Sequence, residues 1–231
     1  LTVLSRRHGK LTVKARGLRR KNSPLIAPCQ LLAFGEFTLF EYRGQYTINE
    51  AHSIELFSPL RRELTQLSLG TYFAQVAEVL SQEDIPNPEL LSLLLNSLYA
   101  LTKLSLPEAQ VKAVFELRAA CLSGFTPDLF GCHICGSQKP VRFDLRAGQL
   151  ECESCRDPDS DGIRLPVTPA VLEAMRYICL CEPKRLFSFQ IGGDAMRLLG
   201  NLTEAYLATQ LERGFSTLDF YKSLFIGENY V

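Results

Sequence analysis

The chain has 231 residues, 46% hydrophobic and 22% charged. That is long enough for one large domain or two to three small ones, and its balance excludes a disordered or collagen-like chain. A formal net charge of zero hides an asymmetry, because residues 1–35 hold eight Lys/Arg and no Asp or Glu, while the remainder holds 17 basic against 25 acidic residues. An N-terminal region so uniformly basic points to a polyanionic partner.

Residues 1 to about 55 read as β structure: LTVLS, the turn RRHG, KLTVKAR, then CQLLAFGEFTLFEYR, a Gly-containing turn, and QYTINEAHS. Alternation is cleanest from Glu36 to Tyr42, and several short strands of this kind predict a small antiparallel barrel. From Ser58 the pattern turns helical. SPLRREL offers Ser58 as a cap with Pro59 at the first helical position, and GTYFAQVAEVL continues at helical spacing. NPELLSLLLNSLYALTKL starts on Asn87 and Pro88, and SLPEAQVKAVFELRAACLSGF on Ser105, with Pro107 and Glu108 in its first turn. After a cysteine segment at about 131–157 and the polar connector DPDSDGIRLP, helices resume in TPAVLEAMRYICL, capped by Thr168 and Pro169. GGDAMRLLGNLTEAYLATQLERG follows, closed by Gly214, and STLDFYKSLF ends the series.

The longest apolar stretch, residues 90–106, is interrupted by Asn96 and Lys103 and falls short of the ~20 residues of a spanning helix, so it reads as a buried helix and no membrane partner is expected. A chain beginning LTVLSRRHGK shows no secretory signal and no initiator methionine, and residues upstream of it are expected. Cys29, Cys121, Cys179 and Cys181 lack the spacing of a disulfide scaffold, which suggests a reducing, cytoplasmic compartment.

The other four cysteines, Cys132, Cys135, Cys152 and Cys155, form two CxxC pairs with sixteen residues between them. A two-residue gap lets a tight turn aim both thiolates at one ion, and a hairpin-length spacer returns the second pair, so the spacing predicts one Zn2+. The flanking Glu151, Glu153, Arg156 and Asp157 read as a polar surface, which argues against four free buried thiols. Four thiolates fill a tetrahedron and leave no place for a reacting water, so the metal is expected to be structural. His133, between two ligands, reads as a surface histidine.

The basic stretch RRHGKLTVKARGLRRKNS puts Arg6, Arg7, Lys10, Lys14, Arg16, Arg19, Arg20 and Lys21 on a hairpin and the loop after it. A solvated face normally mixes both signs, whereas no acid occurs here, so phosphate contact by these eight residues is expected. Phe34, Phe37, Phe40 and Tyr42 follow; Phe40 and Tyr42 share one face with Thr38, Phe37 and Leu39 the other, and alternation does not decide which meets nucleic acid. There is no GxxxxGK[ST], GxSxG or HExxH, and no acid–base pairing among Glu50, Glu55 and the helical carboxylates, which read as solvated charges. No enzymatic activity is expected.

The residues so far describe an α+β, multidomain protein: an OB-fold-like barrel (1–57), then an all-helical domain (58–130 and 158–231) with an inserted four-cysteine zinc motif (131–157). This order resembles the bacterial DNA-repair protein RecO family, and the resemblance implies that the first strand of the barrel is truncated. HGKLTVKARGLRRKNSPLIAPCQLLAFGEF is similar to the family's succession of strand, Gly-Lys, strand, A-[KR]-G-x-R, Ser and x-P-x-x-L-x-x-F. FELRAACLSGFTPDLFGCHICG, residues 115–136, resembles its F-E-x-[KR]…G-[FY]-x-P-x-L-x-x-C-x-x-C segment. Some relatives lack part of the quartet, in keeping with a structural metal. The resemblance implies a cytoplasmic, nucleoid-associated accessory factor that binds single- and double-stranded DNA and anneals complementary strands. With RecR it would promote RecA loading on DNA coated by single-strand-binding protein, whose C-terminal tail it would contact. A zinc-ribbon module acting on RNA in translation shares the barrel and the metal, and substrate preference separates the two. A zinc hydrolase of nucleic acid is disfavoured by the filled ligand set.

Overall fold

The computed structural model describes residues 1–104, 106–155 and 162–226. Ser105, the expected cap of the third helix, and Arg156 and Asp157, with the connector through Asp161, lie outside the described residues. The chain packs into two compact units, Leu1–Ser105 with Phe215–Val231, and Leu106–Gly214.

In the first unit β1 (Thr2–Ser5), β2 (Gly9–Lys14), β3 (Phe34–Tyr42) and β4 (Gln45–Glu55) form one sheet in the order β1-β2-β4-β3. Alternation decides its faces. Leu11 and Val13 of β2 and Ile48 and Ala51 of β4 are buried, with Phe37 and Leu39 of β3 packed on them, while Thr12, Lys14, Thr38 and Phe40 stay exposed. The sheet is OB-fold-like, but it does not close into a barrel, and β2 and β4 pair in parallel while the other pairs are antiparallel. The expected run from Cys29 begins as a strand only at Phe34. Residues 15–33 form turns instead, because Gly17, Pro24 and Pro28 interrupt any ladder, and they lay Leu18, Leu25 and Cys29 on the inner face. Gly9 has φ +59, and a Cβ there would run into the carbonyl of Ile85, so glycine lets β2 pass close to residues 82–85.

Ser58 and Pro59 open a short 3-10 turn, Ser58–Arg61, rather than the long helix. Helix α1 (Leu64–Leu80) starts after an extended Glu63, and α2 (Pro88–Thr102) starts as expected, with the Asn87 side chain accepting from the Leu90 amide at 3.1 Å. Leu90, Leu93, Leu98 and Leu101 form the buried stripe of α2, which makes the apolar stretch an amphipathic core helix. The last helix, α6 (Ser216–Ile226), returns to α1: Phe215 meets Tyr72 edge-on at 5.5 Å, and the Thr217 hydroxyl donates to Gln75 Oε1 at 2.6 Å. Among the described residues no helix is long and apolar enough to cross a membrane.

The second unit contains α3 (Glu108–Leu122), the small sheet β5 (Arg142–Asp144), β6 (Gln149–Glu151) and β7 (Arg164–Pro166), then α4 (Pro169–Leu180) and α5 (Gly193–Gln210). Pro107 stands at the cap of α3 rather than in its first turn, and the Thr168 side chain accepts from the Val171 amide at 3.4 Å to start α4. Helix α5 ends at Gln210, before Gly214.

Every residue of α3 from Gln110 to Leu117 is buried. Lys112 and Glu116 therefore lie inside, which for Glu116 corrects the reading of the helical carboxylates as solvated charges: a helix enclosed on all sides has no wet face for either. The Lys112 ammonium meets Glu116 at 2.9 Å and Glu204 of α5 at 2.7 Å, and the Thr203 hydroxyl donates to Glu116 at 2.9 Å. Burial alone would lower the Lys112 pKa, but the two carboxylates outweigh it and raise it, so the ammonium stays charged. A Lys112→Met variant removes the cation that both carboxylates share and is expected to lose about 3–5 kcal/mol. Thermal unfolding across pH checks this. Because the folded-state pKa of Lys112 is raised, the deficit should be full at neutral pH and shrink only as pH rises past the ordinary lysine range and the wild-type ammonium is itself lost.

Candidate metal centre and nucleic-acid interface

The cysteine segment is built from two turns held together by strand pairing. Cys132 and Cys135 sit in the first turn, which closes through the Gly136 amide donating to the Cys132 carbonyl at 2.8 Å. The His133 amide donates to the Leu150 carbonyl at 2.9 Å, tying this turn to β6 two residues before Cys152. β5 and β6 pair in antiparallel register, Arg142 opposite Glu151, which returns the chain so that Cys152 and Cys155 face the first pair. All four Sγ atoms lie within 4.8 Å of one another, and Cys135 and Cys152 are 3.6 Å apart. Thiolates on a tetrahedral zinc at ~2.3 Å stand about 3.8 Å apart, so the donor set fits that ion without an added ligand.

The thiols also differ in protonation. Burial opposes the Cys132 thiolate, yet backbone amides of Cys135, Cys152 and Ile134 aimed at its sulfur lower its pKa to about 6. Cys155 is pushed up to about 12, first by its hydrogen bond with Cys135 and next by that with Cys152. The quartet thus holds protons that a metal must displace, and metal affinity falls as pH falls.

Behind the cysteines, Arg164 of β7 reaches across β5: its Nε donates to both Glu151 oxygens at 2.8 Å, and its Nη2 lies 3.3 Å from Asp144 Oδ2. Glu151 is 3% exposed, so it belongs to a buried ionic clamp and not to the polar surface that the sequence suggested. Glu153 is exposed, and His133 is a surface residue whose Nε2 is 3.8 Å from Glu151. The segment is seated on its helices by Phe143 against Tyr206 at 5.2 Å, by Gln210 donating to the Leu145 carbonyl at 2.7 Å, and by Arg176 donating to the Leu129 carbonyl at 2.8 Å. One further cysteine contact has no sequence signal: Cys121 of α3 and Cys179 of α4 meet at 3.6 Å. Fifty-eight residues separate them, and only the packing of the two helices joins them.

In the first unit the eight basic residues fall into distinct places. Arg6 and Arg7 are exposed in the β1–β2 turn, and Arg16, Arg19, Arg20 and Lys21 are exposed on the turns after β2. Lys10 and Lys14 share the outer face of β2. Lys10 donates to the Glu78 carbonyl at 3.2 Å, placing its charge at the C-terminal end of α1, where a helix dipole favours a cation. Lys14 donates to Gln45 Oε1 at 2.6 Å. Arg16 and Arg20 line a groove of about 750 Å³ together with Asn22 and residues 48–53 of β4. Glu50 also lines this groove, 3.1 Å from His52, so one carboxylate stands among the cations.

Comparison with known families settles the kinship. The family model described as Recombination protein O N terminal matches residues 1–57, and Recombination protein O C terminal matches residues 61–219. The chain belongs to the RecO family. It is 33% identical to DNA repair protein RecO of Acetivibrio thermocellus over 97% of this chain and 89% of that protein. It is 28% identical to the DNA repair protein RecO of Alkaliphilus metalliredigens, over 97% and 92% of the two chains. The same identity links it to that of Caldicellulosiruptor saccharolyticus, over 96% and 90%. The N-terminal RecO match covers the four-stranded sheet and all eight basic residues, and the C-terminal RecO match contains the cysteine quartet.

Proposed function

We propose that this chain is a DNA-binding accessory factor of recombinational repair. It binds single- and double-stranded DNA and anneals complementary strands. With RecR it promotes RecA loading on DNA coated by single-strand-binding protein, whose C-terminal tail it contacts. It works in the bacterial cytoplasm at the nucleoid and catalyses no bond chemistry. Residues 1–57 are the DNA-binding module, 58–130 and 158–231 the helical part, and 131–157 a zinc insertion in which Cys132, Cys135, Cys152 and Cys155 hold one structural Zn2+.

The observation that carries this reading is the acid-free N-terminal stretch: eight cations in residues 1–35, seven of them on exposed side chains, in a chain of the RecO family. Phosphates are the natural counterpart of such a stretch, since each cation placed on a strand releases condensed counterions. Annealing then needs only electrostatics. A basic surface that holds two strands weakens their mutual repulsion and raises their local concentration without reading sequence. Annealing of two complementary oligonucleotides, followed by fluorescence energy transfer, is expected to proceed without any nucleotide cofactor. An absolute requirement for ATP would overturn the accessory-factor reading.

A further inference from the structure

β3 is an edge strand, and Phe40 and Tyr42, two positions apart, share its solvent face with 62% and 59% of their surface exposed. The inward positions of the same strand go to Phe37 and Leu39, which pack on the core. Strand pairing defines what surrounds the exposed rings. Phe40 opposes Thr47, Thr47 opposes Lys14, and Tyr42 opposes Gln45. Directly paired residues share a face, so Lys14, Thr47 and Phe40 form one row and Gln45 and Tyr42 the next. The bond from Lys14 to Gln45 Oε1, 2.6 Å, holds the ammonium beside these rows, and the Arg43 guanidinium carbon stands 5.2 Å from the Tyr42 ring centre. Two cations therefore flank two exposed rings. Of the acids on β3 and β4, Glu41 accepts from the Gly44 amide at 3.2 Å, Glu36 and Glu55 lie toward the far end of the strands, opposite His52 and Phe34, and Glu50 opposes Thr38, the next position along from Phe40 on this face.

We infer that Phe40 and Tyr42 form a base-stacking platform for single-stranded DNA, with Lys14 and Arg43 on the adjoining phosphates. This rests on the DNA-binding reading above and names the strand form that this face takes. Rings two positions apart on a strand are ~7 Å apart. Bases stacked within one strand of a duplex repeat every ~3.4 Å. Each ring therefore suits a separate, unstacked base, whereas a duplex hides its base faces and offers only phosphates. Stacking of this kind tolerates any sequence, because every base has a π-face. Packing of a second copy on this face would also cover the rings, but flanking cations favour a polyanion over an identical basic face.

The test compares wild type with a Phe40→Ala/Tyr42→Ala variant, using labelled oligothymidylate and a duplex of equal length at two salt concentrations. Single-strand affinity is expected to fall about tenfold or more. Duplex affinity should stay within about twofold and the salt slope should not move, because no phosphate contact is lost. Phe40→Tyr/Tyr42→Phe should restore binding. On the unaltered protein, a 5-iodouracil-substituted strand should crosslink to the peptide that contains Phe40 and Tyr42, which keeps the test independent of the variant's folding. Unchanged single-strand affinity, an equal loss on both substrates, or crosslinks confined to other peptides would overturn the inference. So would a change in oligomeric state without a change in DNA affinity. If Arg16→Ala/Arg19→Ala/Arg20→Ala weakens binding and the aromatic variant does not, the platform falls and the DNA-binding reading stands; if neither does, both fall.

Discussion

Replacing Arg16, Arg19 and Arg20 together by alanine is expected to weaken single-strand binding by about 10- to 100-fold near 0.15 M salt, and to reduce the slope of log affinity against log salt by about two. The reasoning is electrostatic: each phosphate neutralised on a single strand contributes a slope of about −0.7. Three lost contacts remove roughly three such increments. All three side chains are exposed on turns, so the variant should keep its fold. Lys10 behaves differently. Its ammonium already serves the C-terminal end of α1, so Lys10→Ala should lower stability more than it lowers DNA affinity. A triple variant with unchanged affinity and unchanged salt slope would remove these arginines from the interface.

The second large effect concerns the metal. Elemental analysis should find about one zinc per chain, and Cys132→Ser with Cys155→Ser should abolish it. Those substitutions withdraw one thiol whose pKa is lowered to about 6 and one whose pKa is raised to about 12. Their loss unties the turns that hold β5 and β6 in register, leaving the Arg164 clamp and the Phe143–Tyr206 contact to keep the segment on its helices. A fall of about 3 kcal/mol, or roughly 6 to 12 °C in thermal midpoint, is expected for a chain of this size. Zinc binding to the metal-free protein should release protons and weaken on acidification, because Cys155 retains its proton at neutral pH. DNA affinity should change by less than about threefold, since the proposed phosphate contacts lie on other residues. Retention of stoichiometric zinc by the double variant would refute the quartet.

What could be read in advance depended on how local its cause was. The Asn87–Pro88 and Thr168–Pro169 helix starts are written in adjacent residues, as is the alternation that turns Phe37 inward and Phe40 outward. The cysteine quartet was legible because a two-residue gap is a property of one turn, and each of the two turns is local. Ser58–Pro59 misled for the same reason, since that pair suits a 3-10 turn as well as an α-helix, and the extended Glu63 that separates the two is not marked by its residue type. Closure of the sheet depends on whether residues 15–33 join it, which Pro24 and Pro28 prevent. The burial of Lys112, Glu116 and Glu151 could not be read at all. Each looks like a surface charge until its partners, Glu204 for Lys112, Thr203 for Glu116 and Arg164 for Glu151, are brought from far along the chain.

The central claim, that the acid-free N-terminal stretch makes this chain a strand-handling repair factor, is tested most directly by annealing complementary strands pre-coated with single-strand-binding protein, without nucleotide, comparing wild type with the Arg16→Ala/Arg19→Ala/Arg20→Ala variant. Wild type should anneal the coated strands, and the triple variant should slow by at least about tenfold. Equal rates for the two proteins, or no annealing above the protein-free control by wild type, would contradict it.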